Sequence, residues 1–567
     1  MLDPAVQHRI DQALDELVAG ERAWAEQSLT DRRDLLDQVR HRTAEYGPAW
    51  IEAATAIKGL DADSPLVGEE WISGPYALAV AAGALAESLA KLADGKSPLD
   101  GATFTTTPSG QTAVSVLPVS VFDHLLLSGF SAQVWLQPGI DGDRALRDAG
   151  LAQHNPAATG GVGAVLGAGN IFSIAPLDTL YELIAHNRVV ALKLNPLTDP
   201  LRPVLTDVLA PLIDLGAVRI LTGGADVGDY LVHHRSVSHV HMTGSAATHD
   251  AIVFGTGAEG AERKAANRPR LTTPMTSELG GVSPTIVLPG QWSDADIDFQ
   301  AQHVVTQRLH NNGYNCIAAQ TIVVSARWPQ REQFLAEVRR QLDAAPGRPA
   351  YYPGSDDRVA NAQHSYPDGV RLGPDSGRLL ITNPADRGTL LQTEYFAPVL
   401  GVIELDSDGE QFALDAARVA NTEFTGTLGV NIIAHPHTIN DLGATFDTLV
   451  ENLRYGTVAI NAWTGVGYLT PHATWGAFPG HSPDDVQSGI GVVHNAFLIA
   501  DPQRTVVYGP FRPTPRSLLA GEMSLSPKPP WFVTNRTAAT TGRLLTEFAA
   551  DPGWMRLPGI FASALRG

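Results

Sequence analysis

Cysteine is nearly absent: Cys316 is the only one in 567 residues. One thiol cannot close an internal disulfide, so the fold is not built on oxidative cross-links, and a reducing cytoplasm is the home this composition suggests. Positive charge is also scarce, with 40 Lys and Arg against 60 Asp and Glu, a formal net charge of -20. Such a surface repels a phosphate backbone, so nucleic acid is not an expected partner. The opening Met1-Leu2-Asp3-Pro4 lacks the basic start and apolar run of a secretory signal, and apolar stretches such as Ala77 to Ala86 read as shorter than the roughly 20 residues of a membrane span. No membrane partner is expected. No Gly-x-Gly-x-x-Gly fingerprint of ordinary dinucleotide folds directly follows a strand-like run. What the chain does have is 44% hydrophobic residues and a mass of 60.3 kDa, enough for two or more domains with sizeable cores.

Periodicity divides the sequence. From Pro4 to about Leu92 apolar residues recur at helical spacing, as in Leu35, Leu36 and Val39. Alternating, β-branched character at Thr112 to Val119 and again at Gln133 to Leu136 predicts a strand pair. Strands at Gly163–Leu166, Val189–Lys193, Val218–Leu221 and Val237–Met242 are separated by helical stretches, which predicts a parallel sheet with crossover helices. A second such block begins near Glu278, with strands at Pro284–Leu288, Thr321–Val324, Val399–Ile403, Thr427–Ile433 and Thr457–Asn461. The fold class expected is therefore α/β: a Rossmann-like parallel-sheet domain, a second α/β domain and a β-ribbon. The expected division is 1–111 with 137–275, then 276–485, ribbon strands in 112–136 and 486–509, and an extension over 510–567 rich in Pro, Ser and Thr. That extension carries no functional signal and reads as a wrap around a neighbouring subunit or a domain surface.

Two segments stand out chemically. Cys316 lies in the polar run Asn311-Asn312-Gly313-Tyr314-Asn315-Cys316, which suggests an accessible loop or a helix start. A helix start would lower the thiol pKa and aim backbone N–H groups at an oxyanion. A lone cysteine reads equally well as a small buried hydrophobe. Glu278, in Ser277-Glu278-Leu279-Gly280-Gly281, precedes paired glycines that permit close backbone approach, and it fits either a solvated loop acid or a base.

Taken together and in this order, the two segments resemble the active-site signatures of the aldehyde dehydrogenase superfamily. Four further segments follow in the family's order: Ala168-Gly169-Asn170-Ile171-Phe172, Ala191-Leu192-Lys193-Leu194-Asn195-Pro196, Met242-Thr243-Gly244-Ser245 and Thr393-Glu394-Tyr395-Phe396-Ala397-Pro398-Val399. Gly456 to Asn461 extends the similarity, which spans about Gly163 to Ala500. The resemblance implies that Cys316 is the nucleophile, Asn170 an oxyanion donor with the Cys316 backbone N–H, and Glu278 the base that activates water. It also implies NADP or NAD as cofactor, with Lys193 and Pro196 at the adenosine ribose, Gly244 and Ser245 at the pyrophosphate, and Glu394 with Phe396 at the nicotinamide ribose. The family often has Glu where this chain has Pro196, which tilts the expectation toward NADP or dual use. The family implies ribbon-mediated assembly into a homodimer or homotetramer, here through Thr112 to Leu136 and Gly491 to Phe497.

Two residues depart from the pattern: Gly169 stands in place of a tryptophan and His249 in place of a second glycine, and both touch cofactor geometry. His239 and His241 share a strand face without accompanying cysteines, so no metal is expected. Phe172, Leu309 and Trp463 are candidates for the substrate tunnel. Rival functions are a CoA-acylating aldehyde dehydrogenase or acyl-CoA reductase, a cofactor-independent cysteine hydrolase using His310, and a catalytically idle binding partner.

Overall fold

The computed structural model describes residues 2–567. Helices come first, at Pro4–Ala25, Leu29–Glu45 and Gly47–Lys58, as the 3.6-residue periodicity predicts. Ser28 opens the second with a capping box, accepting from the Asp31 backbone N–H while the Asp31 carboxylate accepts from the Ser28 backbone. Next comes a 27-residue helical run, Val67–Ala93. The run kinks within Ile72–Tyr76, where Gly74 leaves helical backbone geometry just before Pro75. By length and composition this run is apolar enough to cross a bilayer, contrary to the expectation, yet 61% of its most apolar window is buried inside the protein. It packs as a core helix against Leu29–Glu45.

Two sheets carry the rest. The smaller is ordered Gly489–Ile490, Met275–Leu279, Val237–Gly244, Val162–Leu166, Val189–Lys193, Val218–Leu221, and all but the first strand run parallel. Its strands are nearly continuous β-branched and aliphatic runs because helices such as Ile174–Ala185 cover them, leaving no solvent face to demand alternation. The strand Met275–Leu279 crosses the expected boundary at 275/276, so this sheet reaches as far as Leu279.

The larger sheet has eleven strands. Seven are parallel, in the order Pro502–Tyr508, Thr457–Ile460, Gly429–Ile433, Ser283–Val287, Ala319–Ser325, Val399–Leu405, Arg378–Thr382. The antiparallel ribbon Phe104–Thr106, Thr112–Leu117, Ser131–Leu136 joins one end through Pro502–Tyr508. This differs from the expectation in two ways. The strand that meets Ser131–Leu136 is Pro502–Tyr508, not the segment from Gly491 to Phe497, where Val492–His494 pairs instead with Thr474–Gly476. The ribbon also completes the chain's own sheet, because Pro502–Tyr508 is hydrogen-bonded on its other side to Thr457–Ile460 of the same chain.

The C-terminal extension wraps its own molecule. Arg512 and Arg516 each reach Asp296 at 2.8 Å, and Phe532 stacks on Phe299 with ring centroids 5.3 Å apart. Its helix Ala538–Ala550 packs against Val67–Trp71 so closely that a β-carbon at Gly68 would overlap Ala538.

Candidate active site

Glu278 stands on the last parallel strand of the smaller sheet, in register with Thr243. The glycines that follow it have a steric reason: a β-carbon at Gly280 would overlap the Glu394 carboxylate. Cys316 arrives from the larger sheet. After the helix Asp294–Leu309 the backbone passes through Asn311, Asn312 and Gly313 at φ values of 52°, 55° and 77°, a left-handed run that asparagine and glycine tolerate. Cys316 then sits in a turn before the strand Ala319–Ser325 and not at a helix start. The two elements bring the Cys316 Sγ within 3.4 Å of the Glu278 Oε1.

The electrostatics differ from what a helix start would have produced. Burial pushes the Cys316 thiol well above its ordinary value, and the carboxylates of Glu278 and Glu394 add to the rise. Glu278 is itself pushed up to about 7, first by burial and then by the Asp178 carboxylate. Its Oε2 is buried without a hydrogen-bond partner. A thiol that resists ionisation is therefore in contact with a carboxylate that burial has made more basic than an ordinary one, while the resting proton stays on sulfur. Asn170 is buried beside this loop, donating from Nδ2 to the Tyr314 carbonyl oxygen at 2.9 Å, and the second proton of that amide is left for another acceptor. Its own backbone carbonyl oxygen accepts from Asn311 Nδ2 at 3.1 Å and from the Tyr351 hydroxyl at 3.3 Å. Lys58 ties Asn311 to Glu70 in a fully buried network, so the cysteine loop and the asparagine are held as one piece.

Lys193, Gly244 and Ser245 lie at the carboxyl ends of strands of the smaller sheet, where ligands gather in open α/β folds, whereas Glu394 and Phe396 precede the strand Val399–Leu405 of the larger sheet. Ser245 caps the helix Ala246–Val253, accepting from the Thr248 backbone N–H, and Gly244 and Ser245 are exposed, leaving that turn accessible to an anion. His249 is buried, so its ring packs inward and does not stand over the turn. Gly169 leaves room for the Asn195 side chain, which a β-carbon here would displace. Lys193 ends its strand, and its amine is held below its ordinary pKa by burial, opposed by the charges of Asp199 and Asp226. Pro196 opens the short helix Pro196–Leu201 that carries Asp199. Glu394 is pushed up to about 8 by burial, and its Oε1 is buried without a partner, an orphan suited to a ribose hydroxyl. Phe396, at φ 45°, packs edge-on against Tyr352 with centroids 4.9 Å apart. The chemistry of these groups fits a nicotinamide dinucleotide: an exposed turn at a helix start, a cation and an unsatisfied carboxylate.

A chamber of about 40 Å³ lies over the thiol, lined by Cys316, His310, Trp463, Tyr468 and Trp475 among others. Of the three tunnel candidates only Trp463 reaches it. Phe172 lies under the Lys58 ammonium, 4.5 Å from its ring centroid, and Leu309 is in the core behind the larger sheet. His310 lines the chamber, but burial lowers it to about 4 and its Nδ1 lies 3.2 Å from the Asn315 amide nitrogen. The sulfur's hydrogen-bond partner is the carboxylate of Glu278. His239 and His241 each face a carboxylate of the helix Ile174–Ala185, His239 at 3.5 Å from Glu182 and His241 at 3.5 Å from Asp178. Burial is the largest single influence on His241 and lowers it, but the charge and hydrogen bond of Asp178 together with the charges of Glu182 and Glu278 outweigh it, and the net shift is upward. Asp178 and Trp475, both close to Glu278, do not stand out in the sequence, where they read as a helix residue and a core aromatic.

Comparison with known proteins bears on what this arrangement is. The model of the aldehyde dehydrogenase family matches residues 152–350. A D-glyceraldehyde dehydrogenase (NADP(+)) of Thermoplasma acidophilum is 26% identical over 269 residues, 43% of this chain and 49% of that protein. A geranial dehydrogenase of Castellaniella defragrans is 28% identical over 277 residues, 44% of this chain and 50% of that protein. The chain thus spans about half the length of these relatives. Among solved structures, a putative aldehyde dehydrogenase from Burkholderia cenocepacia aligns over 88% of this chain and 91% of its own, with a TM-score of 0.57 and 19% identity. The glyceraldehyde-3-phosphate dehydrogenase GapN of Methanocaldococcus jannaschii, solved with NADP, aligns over 90% and 96% with a TM-score of 0.58 and 16% identity. Residues 152–350 thus match the aldehyde dehydrogenase family in sequence, and the fold of solved aldehyde dehydrogenases extends over most of the chain.

Proposed function

We propose that the protein oxidises an aldehyde to a carboxylic acid with NAD or NADP. The observation that carries this reading is the 3.4 Å approach of the Cys316 Sγ to the Glu278 Oε1 in a buried chamber walled by the Cys316 loop. Glu278 takes the thiol proton, and the sulfur forms a bond to the aldehyde carbon while the carbonyl oxygen gains the negative charge. The unpaired Asn170 amide proton and the Cys316 backbone N–H hold that oxygen. When bound, the nicotinamide supplies the hydride acceptor, so the substrate carbon is oxidised and Cys316 is left as a thioester. Having released its first proton, Glu278 draws a proton from water, which attacks the thioester; the carbon–sulfur bond breaks, the acid leaves and the thiol is restored.

The Glu278 contact favours water over CoA as the acyl acceptor, since thiol transfer needs no buried base. At the adenosine end, Asp199 and Asp226 bring negative charge to Lys193, which opposes a 2'-phosphate and favours NAD over NADP. The sequence tilt toward NADP rests on Pro196 alone, without these two acids. Spectrophotometry at the absorbance of the reduced cofactor, over aldehydes of graded length and charge, tests the reaction. Absence of cofactor reduction with every aldehyde, or CoA-dependent turnover, refutes it.

The single cysteine supports a reducing, cytoplasmic home. A homodimer or homotetramer is part of the proposal on a revised footing: the ribbon's pairings with its own sheet are the ones it would make if exchanged with a second copy. Light scattering in solution distinguishes one copy of 60.3 kDa from multiples of it.

A further inference from the structure

A second, much larger cavity of about 500 Å³ adjoins the cysteine chamber. The two share Ile72, Leu469 and Trp531 as a common collar. Its walls come from three distant parts of the chain: the long helical run at Ala84, the ribbon and its connecting helix at Val116 and Phe130, and the C-terminal extension at Leu545, Phe548 and Ile560. The extension therefore builds a ligand-sized space that the rest of the fold leaves open.

The lining is hydrocarbon, and most of its charged groups are already engaged. The Asp123 carboxylate accepts from the backbone N–H groups of Val119 and Ser120. The Arg40 Nε donates to the carbonyl oxygens of Ala549 and Ala550. Glu87 is exposed at the rim. Phe122, Leu126 and Leu127 are only half-buried although they face this cavity, so apolar surface is left uncovered inside the fold. A hydroxylated chain entering here would give up water for few replacement hydrogen bonds, whereas each buried methylene gains.

We infer that this outer chamber takes the tail of the substrate, and that the protein acts on aldehydes bearing an extended apolar chain, with the carbonyl at Cys316, the chain passing the Ile72, Leu469 and Trp531 collar, and the C-terminal extension as the far wall. This rests on the dehydrogenase reading above and names the substrate class for it.

Straight-chain aldehydes from propanal to dodecanal, assayed with saturating cofactor, test it. For carbons beyond the collar, kcat/KM is expected to rise about threefold per methylene, mostly through KM. A profile that is flat or falls beyond butanal overturns the inference. In Ala84→Trp, which fills the outer chamber, the ratio of kcat/KM for decanal over propanal is expected to fall at least tenfold, and an unchanged ratio overturns the inference. Calorimetry with decanoate, on the wild type and on Cys316→Ala, requires neither turnover nor a fold that tolerates the bulkier side chain. Saturable 1:1 binding at least thirtyfold tighter than that of butanoate is expected, and equal affinity for the two acids overturns the chamber. Decanoate binding without any aldehyde oxidation would refute the dehydrogenase reading while leaving the chamber. Propanal oxidation without decanoate binding would do the reverse.

Discussion

Cys316 and Glu278 are in contact, and in the proposed reaction that contact sets the behaviour expected of single substitutions. Cys316→Ala removes the only nucleophile and should reduce turnover by at least about 10³-fold, while the dissociation constant for the nicotinamide cofactor, read by fluorescence titration, stays within about twofold. Retained turnover in that variant would reject the assignment. Because Glu278 must be ionised to accept a proton and titrates at about 7, activity should rise with pH through about 7 in the wild type. In Glu278→Gln that limb of the kcat/KM profile should vanish along with most of the rate. The same substitution should make the fold more stable at pH 8. A carboxyl raised from 4.5 to about 7 by burial is an ionised group held out of water, and relieving it is worth about 2–3 kcal/mol by thermal or urea unfolding.

Among the elements, the C-terminal extension has the clearest structural consequence. The helix Ala538–Ala550 approaches Val67–Trp71 across Gly68 and Gly542, where a β-carbon would overlap Ala538 in one case and the Trp71 side chain in the other. Gly68→Val should therefore push that helix off, at about 2–3 kcal/mol of stability, and expose 520–550 to limited proteolysis. Wild-type protease resistance in that variant would show the helix to be held elsewhere. The periodicity of the strands is legible in the sequence, where Val189–Lys193 and Val218–Leu221 can be read to the residue. The partner of Ser131–Leu136 is not, because Val492–His494 and Pro502–Tyr508 have similar β-forming composition and lie close together in the chain. Composition scores each strand separately, whereas pairing depends on which backbone edge the folded chain presents.

At the scale of the whole molecule, opposing titrations fix the pH of greatest stability. His186, His310 and His494 are lowered to about 4, and His303 and His472 to about 3, mainly by burial. Stability from groups held neutral in this way is complete above their unfolded value near 6.5 and is lost as pH falls toward the folded ones. Glu278 and Glu394 act in the other sense: raised to about 7 and about 8, they favour the fold below 4.5 and cease to do so as pH rises through those values. Five histidines outweigh two carboxyls where the ranges overlap. Melting temperature should climb from about pH 4.5 to about 6.5 and then decline toward about pH 8.5, and a monotonic rise across that range would contradict the burial assigned to Glu278 and Glu394.

The α/β class and the order of strands and helices follow from the chain alone, because periodicity is a local property, and the resemblance of short motifs to a family marks Asn170, Glu278 and Cys316 as candidates. Folding in three dimensions is what makes the thiol hard to ionise and sets it against a carboxylate, brings Asp199 and Asp226 to Lys193, closes the ribbon onto its own sheet, and turns a Pro-, Ser- and Thr-rich tail into the wall of an apolar chamber. Each of these depends on dielectric surroundings and on contacts between residues far apart in the chain, and neither is encoded at a single position.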